Sequence, residues 1–252
     1  MTQENAVLQR FPKVRPPLPA EIAAIYAQHY QSNREGGTAA ASLSQRMEAW
    51  MHRQVAQDVS LPAHAHKTTL EIGAGTLNQL PYEPEVRHYD IVEPFSQLYQ
   101  ASADLGRIHR IFGSIDDVPA DTRYQRITSV AVLEHICDLP RLVARAGLLL
   151  ADDGVFRASI PNEGRWPWTL GWKLTTGLEF RLKYGVDYGL LMRHEHVNTA
   201  DEIESVLMHI FERVTSKTFG LSRGLSLYRY YQCQAPRLER CAALLDAPVA
   251  TS

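Results

Sequence analysis

The chain has 252 residues, 45% of them hydrophobic, and a formal net charge of −2; it can build a full core but offers no field for capturing nucleic acid by charge. Its cysteines, Cys137, Cys233 and Cys241, are odd in number and form no C-x-x-C pair, which argues against a disulfide framework or a zinc site and for a reducing compartment. No apolar segment follows the N-terminus to act as a secretory signal, and no run reaches the roughly 18–20 apolar residues of a spanning helix, so a soluble cytoplasmic protein is expected.

Residues 1–17 are polar and end in Arg15-Pro16-Pro17, which predicts a loose arm. Over 18–30, Ile22, Ile25, Tyr26 and Tyr30 recur at helical spacing, and Gly36-Gly37 ends the segment. A second helix over 42–59 carries Leu43, Met47, Trp50, Met51 and Val55 on one stripe, and Pro62 stops it. Two helices alone bury too little to fold separately, so residues 1–62 read as an arm and helical cap on the domain that follows, 63–235. That domain alternates strands with helices. Strands are expected at 68–72, 88–92, 108–112, 126–132 and 155–160, with final strands at 211–219 and 227–233. The helix between the first two is short, because Pro81 and Pro84 interrupt it. Helices are expected at 139–150, with Arg141 and Arg145 on its polar face, and at Ala200–Ile210, where Thr199 and Glu202 form a capping box. Such alternation implies an α/β fold with a doubly wound, mostly parallel sheet. The tail, 236–252, adds a helix to about Leu245.

The richest stretch is 68–76. An apolar strand with Leu70 and Ile72 runs into a turn containing Gly73 and Gly75, residues that let a backbone bend and approach a ligand. Glu71 stands at the strand's carboxyl end, where open α/β sheets bind ligands. Glu93 closes the next strand, 22 positions later, near the ~20-residue spacing at which an acid reaches a ribose. Leu77 occupies the place of a third glycine, and Glu71 would repel a phosphate. A nucleoside with a cationic end, such as S-adenosylmethionine, suits this turn better than a dinucleotide does.

With these residues in view, the segment from 66 to 232 resembles the class I S-adenosylmethionine-dependent methyltransferases. The likeness rests on Leu70-Glu71-Ile72-Gly73-Ala74-Gly75-Thr76, on Glu93, and on the 112–119 segment containing Ser114, Ile115 and Asp116. It rests also on Val132-Leu133-Glu134-His135-Ile136 with Asp138, and on Ile160-Pro161-Asn162. The resemblance implies a seven-stranded sheet with an antiparallel last strand. It also implies that Glu71, Gly73, Ala74 and Gly75 hold the methionine part and that Glu93, followed by Pro94, binds the ribose. Ser114, Ile115 and Asp116 would then border the adenine, with Leu133 completing the set. Three residues depart from the family pattern. They are Leu77, Gln125 in place of an aspartate, and Ser114 in place of an acid, which leaves open whether Asp116 contacts the adenine. Two other classes stand beside the enzyme reading: a cofactor-binding protein of this fold without catalysis, and a nicotinamide-dependent oxidoreductase, against which Glu71 and the missing glycine count.

An insertion at 163–196 is too long for a simple loop and reads as a lid. It holds three of the four tryptophans, Trp166, Trp168 and Trp172, followed by Phe180, Tyr184 and Tyr188 among Lys173, Arg181, Lys183 and Arg193. These aromatics either pack the lid, line a substrate pocket for sugars or flat rings, or meet a membrane surface or a second copy. A hydroxyl acceptor needs a base, and histidine suits that task near neutral pH; His135, His194 and His196 are the candidates. No metal is expected. In a quinone-methylating branch of the family an acidic set at this segment is associated with a metal, but Ala131 cannot serve as a ligand, and His194-x-His196 lacks an apparent third partner. Tyr26, Tyr30 and Arg34 either close over the cofactor carboxylate or pack the cap. The expected acceptor is a hydroxyl of a small molecule or glycan. The Trp-rich lid with Trp50-Met51-His52-Arg53 loosely resembles methyltransferases of bacterial polysaccharide synthesis, while quinone, lipid and natural-product acceptors stay open, as does the oligomeric state.

Overall fold

The computed structural model describes residues 3–20, 22, 25, 39–60, 66–84 and 88–246. The expected helix over 18–30 falls largely outside these residues, as do Tyr26, Tyr30, Arg34, Gly36-Gly37 and Pro62. The strands are β1 (Thr69–Ile72), β2 (Tyr89–Val92), β3 (Arg110–Phe112), β4 (Tyr124–Val130), β5 (Leu150–Pro161), β6 (Phe211–Gly220) and β7 (Ser226–Pro236). They form one seven-stranded sheet in the order β3-β2-β1-β4-β5-β7-β6. β1 to β5 run parallel, while β7 is antiparallel to both β5 and β6. Strand order reverses between β1 and β4, and such a switch point opens a crevice at the strands' carboxyl ends.

Among the described residues the helices are α1 (Gln3–Leu8), α2 (Ala39–Ala56), α3 (Ser96–Tyr99) and α4 (Leu139–Leu149). Three lid helices follow: α5 (Trp166–Leu174), α6 (Thr176–Tyr184) and α7 (Tyr188–Glu195). The last two are α8 (Ala200–Ile210) and α9 (Leu238–Asp246). On one face of the sheet α4, α8 and α9 pack together over a core containing Leu139, Val143, Ile203, Leu207, Phe156 and Phe211. Asp138 caps α4 by accepting from the Arg141 amide, and the expected Thr199–Glu202 capping box starts α8. α2 covers the other face, over β4, β5 and β7.

Two buried arginines fasten α2 there. Arg126 on β4 donates to both carboxylate oxygens of Glu83 at 2.8 Å, to Asp58 at 3.0 Å and to the Val55 carbonyl at 2.8 Å. Arg157 on β5 donates to the carbonyls of Gln54 and Val55, each at 2.8 Å. Cations thus meet the carbonyl end of the helix, where its dipole favours them. The arm differs from expectation. It is not loose, because Lys13 donates its amide to Cys137 at 2.8 Å and its ammonium to Glu202 at 2.8 Å, and Phe11 packs on the core.

The departures at Leu77 and Gln125 have structural explanations. Leu77 keeps the left-handed backbone of the glycine it replaces, φ 66°, at a cost of roughly 1–2 kcal/mol. Its side chain is buried with Ala74, Leu80, Tyr89 and Ile91, and burying a leucine contributes about 1.5–3 kcal/mol, enough to offset the strain. Gln125 bonds both ways with Thr68, accepting its amide at 3.2 Å and donating its own amide to the threonine hydroxyl at 3.1 Å; it registers β4 on β1.

Candidate active site

The carboxyl end of β1 turns at Gly73 (φ 71°) and Gly75 (φ 52°). The two glycines face different surroundings. A Cβ on Gly73 would stand 2.4 Å from Val132, so the turn packs tightly against the end of β4, whereas a Cβ on Gly75 would meet nothing within 4 Å. Open space therefore lies beside Gly75, at the switch point. Glu93, at the end of β2, borders it. Its Oε2 accepts from the Gly75 amide at 2.9 Å and its Oε1 from the Phe95 amide at 3.0 Å. A carboxylate has about four acceptor sites, so two remain for a diol, held in place by the backbone. Glu71 is buried and accepts from the Tyr89 hydroxyl at 2.8 Å. Burial, outweighing that hydrogen bond, pushes its carboxyl up to about 7.

The loop after β3 is built by Ser114, whose hydroxyl accepts from the Asp116 amide and whose own amide donates to Asp117 at 2.8 Å. Asp117, a residue the sequence reading did not single out, thus closes the capping box. Asp116 is exposed and turns toward Arg141, 3.9 Å away. Ile115 is buried and Pro94 and Ser114 are exposed. Leu133 is placed differently from the ligand-facing position expected of it. Its side chain is fully buried in the core and its carbonyl accepts from Asn198 at 2.9 Å, so it supports the turn from behind.

The far side of the crevice is where the turn after β4 meets the two ends of the lid. Arg15 donates to the carbonyls of His135 at 2.8 Å and His194 at 2.9 Å, and Asn198 donates its side-chain amide to Leu133 and Ile136. These bonds bring His135 and His196 within 4.9 Å, ring centre to ring centre. His196 donates Nδ1 to Glu163 at 2.8 Å, and Trp168 donates to the same oxygen at 2.7 Å. Burial works against the ionised Glu163, but the bonds from His196 and Trp168 hold its carboxyl below the ordinary range. With Nδ1 engaged, Nε2 is the remaining ring nitrogen of His196. His135 donates Nδ1 to the Glu195 carbonyl at 2.9 Å and sits 3.7 Å from Glu134. Burial disfavours its charged form, yet Glu195 and Glu134 together raise its pKa.

His194 lies elsewhere. Its Nδ1 donates to the Pro16 carbonyl at 2.6 Å, and it ends a helix rather than sharing a strand face with His196. The partners of His196 come instead from the β4 turn: Glu134, His135 and His196 offer ligand atoms within 4.8 Å of one another, a set that could hold a cation, and Glu134 Oε2 is buried without a hydrogen-bond partner. The expectation that His196 lacks neighbours of ligating type is therefore corrected, for the topology supplies His135 and Glu134 from 61 and 62 positions earlier in the chain. The sequence reading also missed Glu163 as the partner of His196; its place immediately after Asn162 was the available signal.

No helix among the described residues is long and apolar enough to cross a membrane. Residues 43–208 match the profile of a family of methyltransferase domains. No curated protein matches by sequence. Among solved structures, the plantazolicin methyltransferase BpumL, in complex with a desmethyl substrate analogue and S-adenosylhomocysteine (SAH), is 13% identical with a TM-score of 0.57, over 92% of this chain and 95% of that one. A possible histamine N-methyltransferase from Thermotoga maritima is 15% identical with a TM-score of 0.53, over 76% and 91%. The CurJ carbon methyltransferase is 20% identical with a TM-score of 0.50; 73% of this chain aligns, spanning only about half, 54%, of that one. These likenesses establish the fold. Among the described residues, the open space beside Gly75 is bordered by the anchored carboxylate of Glu93. The chain belongs to the methyltransferase-domain family and is an S-adenosylmethionine-dependent methyltransferase.

Proposed function

We propose that the enzyme methylates a hydroxyl of a small molecule or glycan, with His196 as general base. The observation that carries this reading is the Glu163–His196 hydrogen bond at the lid's base, 2.8 Å long. S-adenosylmethionine, when bound, supplies an electrophilic methyl on a sulfonium whose charge disappears as the methyl leaves. The rest falls to the chain's own residues. Gly73, Ala74 and Gly75 shape the turn for the methionine part, with Glu71 behind it. Glu93 accepts from the ribose hydroxyls through its two remaining acceptor sites. Ser114, Ile115 and Asp116 border the adenine. His196 takes the acceptor's proton at Nε2 as the oxygen gains the methyl, and Glu163, bonded to Nδ1, fixes the tautomer. Holding the reactants at contact distance gives the larger share of the rate, since good orientation is worth roughly 10⁵–10⁸ M in effective concentration.

His135, already drawn toward its charged form by Glu195 and Glu134, positions the turn, and His194 ties the lid to the arm. Trp168, stacked on His196 at 6.3 Å and meeting Tyr228 edge-on at 5.3 Å, offers an aromatic wall suited to a sugar or a flat ring. The buried, unbridged Cys233 and Cys241 fit work in the cytoplasm. The test is an acceptor screen read by SAH formation, run with the wild type and with His196→Ala. Methylation confined to nitrogen or carbon acceptors, or unaffected by the substitution, refutes the base assignment.

A further inference from the structure

The lid has two apolar faces, and among the described residues only one of them is packed against other rings. Inward, Trp172, Phe180 and Tyr188 pack ring against ring, with centroids 5.2–5.7 Å apart. Outward, Trp166, Leu170, Leu174, Leu178 and Leu182 recur every four residues across α5 and α6, and each is 46–79% exposed. Exposed apolar residues gathered in this way mark an interaction site. The last three leucines line a shallow groove with Thr175, Glu179 and Lys183.

Charge indicates the occupant. Across α5 and α6 the lid carries three cations, Lys173, Arg181 and Lys183, against one acid, Glu179, in a chain whose net charge is −2. All three cations are exposed. Lys173 and Lys183 lie over the rings of Trp172 and Tyr184, at 5.8 Å and 5.1 Å, so their stems run along apolar surface while the ammonium groups stay at its rim, as snorkelling lysines do. A negatively charged bilayer neutralises them, at about fivefold in partitioning for each Lys or Arg near the surface. α5 and α6 have nine residues each, too short to span and suited to lying in the headgroup layer.

We propose that the outer face of the lid docks the enzyme on an anionic lipid surface. The proposal is independent of the acceptor assignment, because docking needs no methyl transfer. The test uses the full chain and co-sedimentation with vesicles of phosphatidylcholine alone or mixed with phosphatidylglycerol. The wild type should bind the mixed vesicles, more weakly as salt rises, and should leave the neutral vesicles largely unbound. The double substitution Leu178→Glu with Leu182→Glu should lower partitioning at least tenfold, with melting temperature and SAH affinity unchanged. Lys173→Glu with Lys183→Glu should abolish the anionic preference. Absence of wild-type binding, equal binding by either variant, or a wild-type dimer in light scattering that the leucine substitutions dissociate would overturn it.

Discussion

His196 and Glu163 stand at opposite ends of the lid, 33 positions apart, and are joined by a hydrogen bond of 2.8 Å from Nδ1 to Oε2. The bond closes the lid at its base and engages one imidazole nitrogen, leaving Nε2 for the proposed proton transfer. Removing the ring should therefore lower kcat by about 10²–10⁴-fold, the usual contribution of a positioned base, while SAH still binds. Glu163→Gln should lower kcat less. A kcat equal to that of the wild type would assign Glu163 to lid closure alone.

Glu93 is held by the amides of Gly75 and Phe95 at 2.9 and 3.0 Å, so its acceptor sites are positioned before a ligand arrives. Two charge-assisted hydrogen bonds are worth about 1.5–3 kcal/mol each. Glu93→Ala should weaken SAH binding on the order of 100-fold or more by calorimetry; an unchanged dissociation constant refutes the ribose assignment.

The two glycines of the first turn should separate stability from binding. Gly73→Ala sets a methyl group 2.4 Å from Val132 in a left-handed backbone and should lower the melting temperature sharply. Gly75→Ala meets no protein atom within 4 Å and should cost only the backbone strain of roughly 1–2 kcal/mol. Its methyl group enters the open space, however, and SAH affinity should fall. Equal SAH affinity in Gly75→Ala and wild type would move the cofactor elsewhere.

Glu71 should make the apo-protein less stable as pH rises. Burial raises its carboxyl in the folded chain to about 7 from 4.5, so between these values the folded state binds more protons than the unfolded one. Stability is then full below about 4.5, declines as pH climbs through 7, and levels off above, the whole effect being on the order of 3 kcal/mol. Glu71→Gln should remove this part of the slope in denaturant titrations at pH 5 and pH 8; an unaltered slope would show that Glu71 is not its source.

Arg126 should be the costliest of these positions to truncate. Its guanidinium is wholly buried and neutralises Glu83, which is buried with it. Breaking such a pair by removing one partner costs roughly 3–5 kcal/mol because the other charge is stranded. Arg126→Ala should unfold at markedly lower urea concentration, and a co-substitution Glu83→Gln should recover part of the loss.

Much of this was legible in the chain itself. Alternating strands and helices, the Thr199–Glu202 cap, the glycine turn and the spacing from Glu71 to Glu93 all act over short stretches, so local pattern announces them. The resemblance then supplied the antiparallel place of β7, which periodicity leaves undefined. Arg126 and Arg157 were not legible as clamps, because a cation inside a strand looks like an ordinary exposed residue until α2 covers it. The arm seemed loose for the same reason: Lys13 and Arg15 find their acceptors some 120 to 190 positions downstream.

The sequence by itself determined that this is a doubly wound sheet with a glycine turn and two acids at its carboxyl edge, since strand periodicity, glycine placement and the spacing of two acids are properties of neighbouring residues. Only the tertiary structure decided what each of the three candidate histidines bonds to. Three histidines offer the same chemistry, and their partners come from the β4 turn, the lid's two ends and the arm; the difference lies in where a folded chain brings Glu163, Glu195 and Pro16.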